Sequence, residues 1–164
     1  MQDNPLIRIQ YLIGEEKVNK IKSSHICVFG CGGVGSFVVE GLIRSGVKEI
    51  SLVDFDRIDI SNLNRQLMTT ANNIGLLKVD ELKKRILSIH SDVIVHTYPI
   101  FFDPSSQLDF SSFDYVVDAI DSVQSKLEIM RQCEKNNVPL IMALGTGRKL
   151  DPTQLCVSRL YQTT

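Results

Sequence analysis

The sequence predicts an α/β domain: a doubly wound, mostly parallel sheet with helices on both faces. Two observations carry this. Strand-length apolar runs alternate with amphipathic stretches of helical period, as in successive β–α units. The first clear run, Ile26–Phe29, ends in glycines at Gly30, Gly32 and Gly35, a G-x-G-x-x-G turn from strand to helix that makes the expected fold Rossmann-like. The 164 residues suffice for one domain with its own core.

Taken in order, residues 1–13 are mixed and read as an irregular arm. Gly14 opens a short amphipathic helix with Val18 and Ile21 on one side and Lys17, Lys20 and Lys22 on the other, so residues 1–24 form an N-terminal arm and helix. His25–Gly30 is the first strand. Val34–Ser45 is a helix stopped by Gly46. Glu49–Asp54 is the second strand. Phe55–Thr70 is a long polar connection, of a length that within a compact domain usually serves function. Val79–His90 is a helix with Leu82, Ile86 and Ile89 on one face. Asp92–Tyr98 alternates and is β-branched, a third strand. A short helix is expected within Pro104–Asp109. Tyr115–Asp118 is continuous in apolar residues, hence a central strand. Asp121-Ser122 caps a helix over Val123–Asn136, with Asp121 expected both to cap and to bind. Leu140–Leu144 is a fifth strand, Gly145–Arg148 a turn, and Leu155–Leu160 one more strand. The chain stops soon after it, as a minimal or truncated domain would.

Composition limits the function classes. Hydrophobic residues make up 43% and charged residues 23%, a globular balance. The longest apolar runs are strand-length, too short for a membrane span, and the N-terminus lacks a secretion-signal layout. The expected compartment is therefore cytoplasmic. A net charge of -1 announces no nucleic acid, although a local basic patch would be hidden in that total. The four cysteines form no C-x-x-C pair, so no zinc and no disulfide is expected. Cys27 reads as a buried small hydrophobe, and Cys31 as a small residue filling the glycine loop rather than a reactive thiol. His25, His90 and His96 read as structural or solvated.

The glycine loop has a specific physics. Gly30 allows the tight turn, Gly32 lets a phosphate approach the backbone, and Gly35 lets the helix pack against the strand. Gly33 extends the loop. Free amides and the positive end of the helix dipole then face an anion. Asp54, 19 residues after Gly35, ends the second strand where an acidic residue bonds a ribose hydroxyl. To this point a nicotinamide-dependent oxidoreductase and an ATP-binding enzyme look alike.

The next residues separate them. Asp56, Asn62, Arg65 and Gln66 follow on the long connection, Lys78 opens the next helix, and Asp121 follows the central strand. A hydride-transfer enzyme has no use for this set. An adenylating enzyme must hold a triphosphate, screen its charge and leave the α-phosphorus open to a carboxylate. Arg65 and Lys78 supply the positive charge. Asp121 stands where a Mg²⁺ ligand belongs. Asp118 reads as structural.

The strings GCGGVG, DFD, SNLNRQ, G-x-x-K and DAIDS, in this order, resemble the ThiF/MoeB/HesA family, bacterial relatives of ubiquitin-activating enzymes. LIGEEKVNKIK, VVDAIDSV and KLDPTQ look most like its tRNA threonylcarbamoyladenosine dehydratase branch. The resemblance implies a homodimeric ATP-binding adenylation domain over 1–164 that uses ATP and Mg²⁺ on a carboxylate. It implies phosphate at Gly32 and the loop backbone of Gly30, Gly33 and Gly35, ribose at Asp54, a triphosphate surrounded by Asn62, Arg65 and Lys78, further cofactor contacts at Asp56 and Gln66, and the metal at Asp121. It also implies tRNA as substrate, with cyclisation by dehydration. Arg8 matches an arginine that reaches the neighbouring subunit's site in this family; on its own residues it is equally a surface charge on an arm. The zinc-binding cysteine pairs of other branches are missing, and so is the family's C-terminal portion. The alternatives are activation of a sulfur-carrier protein's C-terminal glycine, with a sulfur-carrier or cysteine desulfurase system as partner, a nicotinamide-dependent oxidoreductase, and a non-catalytic nucleotide-binding module.

Overall fold

In the computed structural model, residues 4–145 and 150–162 are described. Five parallel strands lie in the order β3-β2-β1-β4-β5. They are β1 His25–Phe29, β2 Glu49–Val53, β3 Ile94–Tyr98, β4 Tyr115–Asp118 and β5 Leu140–Met142. The helices are α1 Ile7–Ile13, α2 Glu15–Ser23, α3 Gly35–Arg44, α4 Lys78–Ile89 and α5 Val123–Asn136. Strand order reverses between β1 and β4, the crevice in which open α/β sheets bind ligands.

Alternation along the strands divides the core into two layers. Ile26, Val28, Ile50, Leu52 and Val95 face Val39 and Ile43 of α3 and Val79, Leu82 and Ile86 of α4. Cys27, Phe29, Val53 and Val116 face Ile129 and Cys133 of α5 and the rings of Phe102, Phe110 and Phe113. Parallel strands covered on both faces explain why β1, β2 and β4 read as continuous apolar runs. The expected fold class is thus present.

Four expectations change. The arm is helical over Ile7–Ile13, with Asn4 Oδ1 accepting from Leu6 N (3.0 Å) ahead of its first turn. Leu6 is buried against Gly46, whose φ of +106° ends α3. Residues 104–109 form a turn and loop rather than a helix, and a 3-10 turn follows at Phe110–Ser112. Residues 155–160 form no strand. They belong to none of the described strands of the sheet, and Leu155, Val157 and Leu160 are exposed. The fifth strand ends at Met142, and most of the expected turn at 145–148 lies outside the described residues.

The long connection is not loose. Ile58 N donates to Leu76 O and Gly75 N to Ile58 O, both 2.8 Å, closing its two ends on each other. Asn73 fastens the middle: Oδ1 accepts from Thr70 N (2.8 Å), and Nδ2 donates to Met68 O (2.8 Å) and Glu81 (3.0 Å). Ile58 and Met68 are buried in the core. These contacts deliver residues 60–66 to the mouth of the β1–α3 turn.

Candidate functional site

A cleft of about 600 Å³, the size of a nucleotide-scale pocket, opens at the strand-order reversal. It is lined by Gly30, Gly32 and Gly33 of the glycine loop and by Asp54 and Asp56 after β2. Asn62, Arg65, Gln66 and Lys78 add the far wall, and Ala119–Ser122 the turn after β4.

The three glycines of the pattern do different work. Gly30 has φ +86°, and an added Cβ would lie 2.7 Å from Ala119 O. A Cβ on Gly35 would lie 1.7 Å from Gly30 O, so Gly35 is a packing contact beneath the cleft and not part of its lining. Gly32 is open: its Cβ would meet only Gln66 Nε2, at 3.8 Å. The amides of Gly32, Gly33 and Val34 have no hydrogen-bond partner among the described residues, and they stand at the N-terminus of α3. That is an anion cradle by geometry.

Asp54 braces this loop. Its Oδ2 accepts from Cys31 N (2.7 Å) and its Oδ1 from Asp56 N (2.8 Å). Burial pushes its carboxyl up, while the two backbone amides pull it back down. The Cys31 thiol is fully buried and raised well above its ordinary value by burial and by Asp54, so it fills space in the loop.

The charged groups differ in how committed they are. Lys78 is buried, and its Nζ donates to Asp56 Oδ2 at 2.6 Å. A cation at a helix N-terminus is unfavourable on its own, and Asp56 offsets it. Arg65 lies against the loop: its Cγ and Cδ would touch a Cβ on Gly33 at 3.3 Å. Its Nη1 is held by Ser61 O (2.9 Å) and Asn64 Oδ1 (3.0 Å), and it has no carboxylate partner among the described residues. Asp121 is exposed in the cleft and makes no hydrogen bond or ion pair among the described residues. Ser122, not Asp121, caps α5, accepting from Ser125 N (3.3 Å). The expectation of a dual role for Asp121 is therefore corrected.

Two amides complete the wall. Asn62 is buried, and its Oδ1 accepts from Asp59 N (3.0 Å), tying the 3-10 turn at Ile60–Asn62. Its Nδ2 has no partner among the described residues. Gln66 is buried with Oε1 unsatisfied. Asp118 is a structural group: it is fully buried, and it accepts from Ile120 N (3.0 Å) and from Lys126 Nζ (3.0 Å).

Arg8 is not brought to this cleft. It sits exposed on α1, which Leu6 anchors at Gly46, the end of α3 remote from the glycine loop. The sequence reading missed the apolar wall of Phe55, Ile100, Phe101 and Phe102. Phe55 and Phe101 meet edge-to-face with centroids 5.1 Å apart, and both rings are about half exposed. The signal was there: residues 100–102 directly follow β3, at the carboxyl edge where sheet ligands sit.

A magnesium ion fits the donor set. Mg²⁺ takes one or two carboxylates together with phosphate oxygens and water, and Asp121 offers an uncommitted carboxylate beside the anion cradle.

The ThiF family model matches residues 5–156. A tRNA threonylcarbamoyladenosine dehydratase of Haemophilus influenzae is 39% identical over 150 residues, covering 90% of this chain and 58% of that protein. The protein of the same description in Bacillus subtilis is 39% identical over 158 residues, covering 95% of this chain and 62% of that protein. The crystal structure of E. coli tRNA N6-threonylcarbamoyladenosine dehydratase in complex with ATP superposes with a TM-score of 0.89 at 35% identity, over 97% of this chain and 66% of that one. The chain thus spans roughly six-tenths of the length of these curated relatives. A match of this extent, on a sheet with this strand order and this glycine loop, shows that the chain belongs to the ThiF family.

Proposed function

We propose that residues 1–164 form the ATP-binding adenylation domain of an enzyme that activates the carboxylate of threonylcarbamoyladenosine in tRNA, leading to cyclisation by dehydration. The observation that carries this reading is the pairing of an open anion cradle at Gly32 with an Arg65 guanidinium that no carboxylate neutralises among the described residues. An uncommitted guanidinium can make strong, bidentate, charge-assisted bonds to phosphate. The likeness to dehydratases, one of them complexed with ATP, supports this choice of substrate class.

The chemistry follows from the lining. The glycine-loop amides and the N-terminus of α3 hold phosphate oxygens. Asp54 presents its remaining lone pairs to a ribose hydroxyl, and the Phe55–Phe101 wall offers a flat apolar surface to a base. Arg65 and Lys78 line the cleft and are assigned to the charge that grows on departing pyrophosphate, where fixed charges lower the barrier without reorganising. When bound at Asp121, Mg²⁺ supplies further charge neutralisation of phosphate oxygens. The substrate carboxylate oxygen attacks the α-phosphorus in line, and the bond to pyrophosphate breaks. A nitrogen or oxygen of the same modified side chain then attacks the acyl carbon, closes a ring and expels AMP. The domain contributes position and electrostatics, with no covalent nucleophile.

We place this enzyme in the cytoplasm as a homodimer, with Arg8 of each subunit serving the other subunit's cleft. Exposed Tyr11 and Leu12 on α1 and exposed Phe37 on α3 give such an interface apolar surface. No described helix is long and apolar enough to cross a membrane. Activation of a sulfur-carrier protein, with a cysteine desulfurase upstream, is the second reading. Among the four cysteines, Cys27, Cys31 and Cys133 are buried, which leaves Cys156 as the one exposed thiol to accept sulfur.

ATP–pyrophosphate exchange tests both. Exchange that requires threonylcarbamoyladenosine-bearing tRNA supports the first reading. Exchange that requires a carrier protein supports the second. Tight NADH binding without ATP binding overturns adenylation altogether.

A further inference from the structure

We propose a divalent-metal site of the Zn²⁺ class at the end of the sheet opposite the nucleotide cleft, built from His25, Glu49 and His96. Among the described residues, this is the one group of histidine, cysteine or carboxylate side chains whose donor atoms converge, each within 4.8 Å of the others. Two imidazoles and a carboxylate are a donor set for Zn²⁺ and its first-row neighbours.

The placement is set by backbone register. His25 and Glu49 are the first residues of β1 and β2 and pair directly across the ladder. His96 pairs with Ser51, two residues along the same face from Glu49. All three therefore project from one face of adjacent strands, a more precise support than loops provide.

The spacing suits an ion. With ligands about 2.0–2.1 Å from a tetrahedral metal, donor atoms lie about 3.3 Å apart. Glu49 Oε1 is 3.0 Å from His96 Nε2 and 3.8 Å from His25 Nδ1, which brackets that edge. The ring of His25 is also steered from outside. Its Nδ1 faces Ser112 O at 3.0 Å and its Nε2 faces Ser51 Oγ at 2.9 Å. A hydroxyl both donates and accepts. Metal binding at Nδ1 thus moves the ring proton to Nε2, where Ser51 turns from donor to acceptor, and swings Nδ1 out of its contact with Ser112 O toward Glu49 Oε1. Such an outer hydrogen bond, fixing tautomer and ring orientation, is the usual partner of a metal-bound histidine.

Access divides in the way an ion needs. The His25 side chain is 14% exposed, while those of Glu49 and His96 are 39% and 41% exposed. One ligand is anchored, two face solvent, and water completes the coordination. The donor set is unrelated to the cysteine pairs behind the expectation of no zinc. Because it lies at the amino ends of β1 and β2, the ion would clamp three strands and take no part in nucleotide chemistry.

The test uses the full chain carrying Cys156→Ser, which removes the one exposed thiol, with no nucleotide present. The protein is titrated with Co²⁺ by absorption and with Zn²⁺ by calorimetry, and its Tm is read with and without Zn²⁺. The expected result is one equivalent bound, visible bands of four- or five-coordinate Co²⁺, and a raised Tm. His96→Ala and Glu49→Gln each weaken binding by about 100-fold or more and abolish the rise in Tm. Both side chains are partly exposed, so the variants keep the wild-type circular dichroism and ATP affinity. Absence of stoichiometric binding overturns the site. So does binding that survives both substitutions.

Discussion

Gly32 and Gly35 lie three residues apart in one motif, yet they fail for different reasons when substituted. Gly35→Ala puts a methyl 1.7 Å from Gly30 O, and backbone cannot yield there; loss of about 4 kcal/mol or more is expected, read as a collapse in Tm. Gly32→Ala meets only the end of Gln66, so Tm holds while ATP binding is lost, read by calorimetry. Equal effects of the two on Tm would contradict the division of labour. Arg65→Ala and Asp121→Ala leave an exposed surface and an intact fold, and each is expected to lower ATP–pyrophosphate exchange by about 10²-fold or more. Near-normal exchange in either variant removes that residue from the site. At this scale the sequence was most legible where a residue type is forced by chemistry. Gly30, Asp54, Asn62, Arg65, Gln66, Lys78 and Asp121 all meet in one cleft. The Phe55–Phe101 wall was not legible, because an aromatic pair formed by residues 46 positions apart has no local pattern to show.

Helix-to-helix and helix-to-sheet charges hold the elements around that cleft. Glu40 on α3 receives Arg85 Nε (2.9 Å) and Nη2 (3.0 Å) from α4, and Arg44 from its own helix. The hydrogen bond from Arg85 holds its carboxyl below the usual range against the cost of burial, with Arg44 assisting. A carboxyl lowered on folding stabilises fully above its unfolded value of 4.5 and loses that contribution as pH falls through the lower, folded value. Glu40→Gln is therefore expected to cost about 1 kcal/mol at neutral pH, with the difference from wild type vanishing on acidification. Urea unfolding at stepped pH reads this, and a pH-independent difference would contradict it. Lys126→Met is the harsher change. It leaves fully buried Asp118 without its cation and is expected to cost about 3–5 kcal/mol. Element types were legible wherever period and burial agree, as in β1, β2, α4 and α5. The helix at Ile7–Ile13 was not, because it buries no residue and so lacks an amphipathic stripe. The strand expected at 155–160 shows the converse: apolar residues alone do not make a strand, and these lie outside the described sheet with Leu155, Val157 and Leu160 exposed.

For the whole molecule, the fold class follows from strand–helix alternation, while the strand order that creates the cleft is a tertiary fact visible only in the assembled sheet. The proposed homodimer, in which Arg8 would act across the interface, has a sharp test. Arg8→Ala and Arg65→Ala subunits are each expected to be inactive alone. Mixed dimers contain one cleft with both arginines intact and recover measurable exchange. No recovery on mixing would return Arg8 to the role of a surface charge. The central claim, that a carboxylate is joined to the α-phosphate of ATP in this cleft, is tested most directly by following an oxygen label. Threonylcarbamoyladenosine-bearing tRNA carrying ¹⁸O in its carboxylate is turned over by the full chain with ATP. One ¹⁸O is expected in AMP, since the attacking oxygen leaves with the nucleotide when the ring closes. Label found in inorganic phosphate alongside ADP, or AMP released without label, would contradict it.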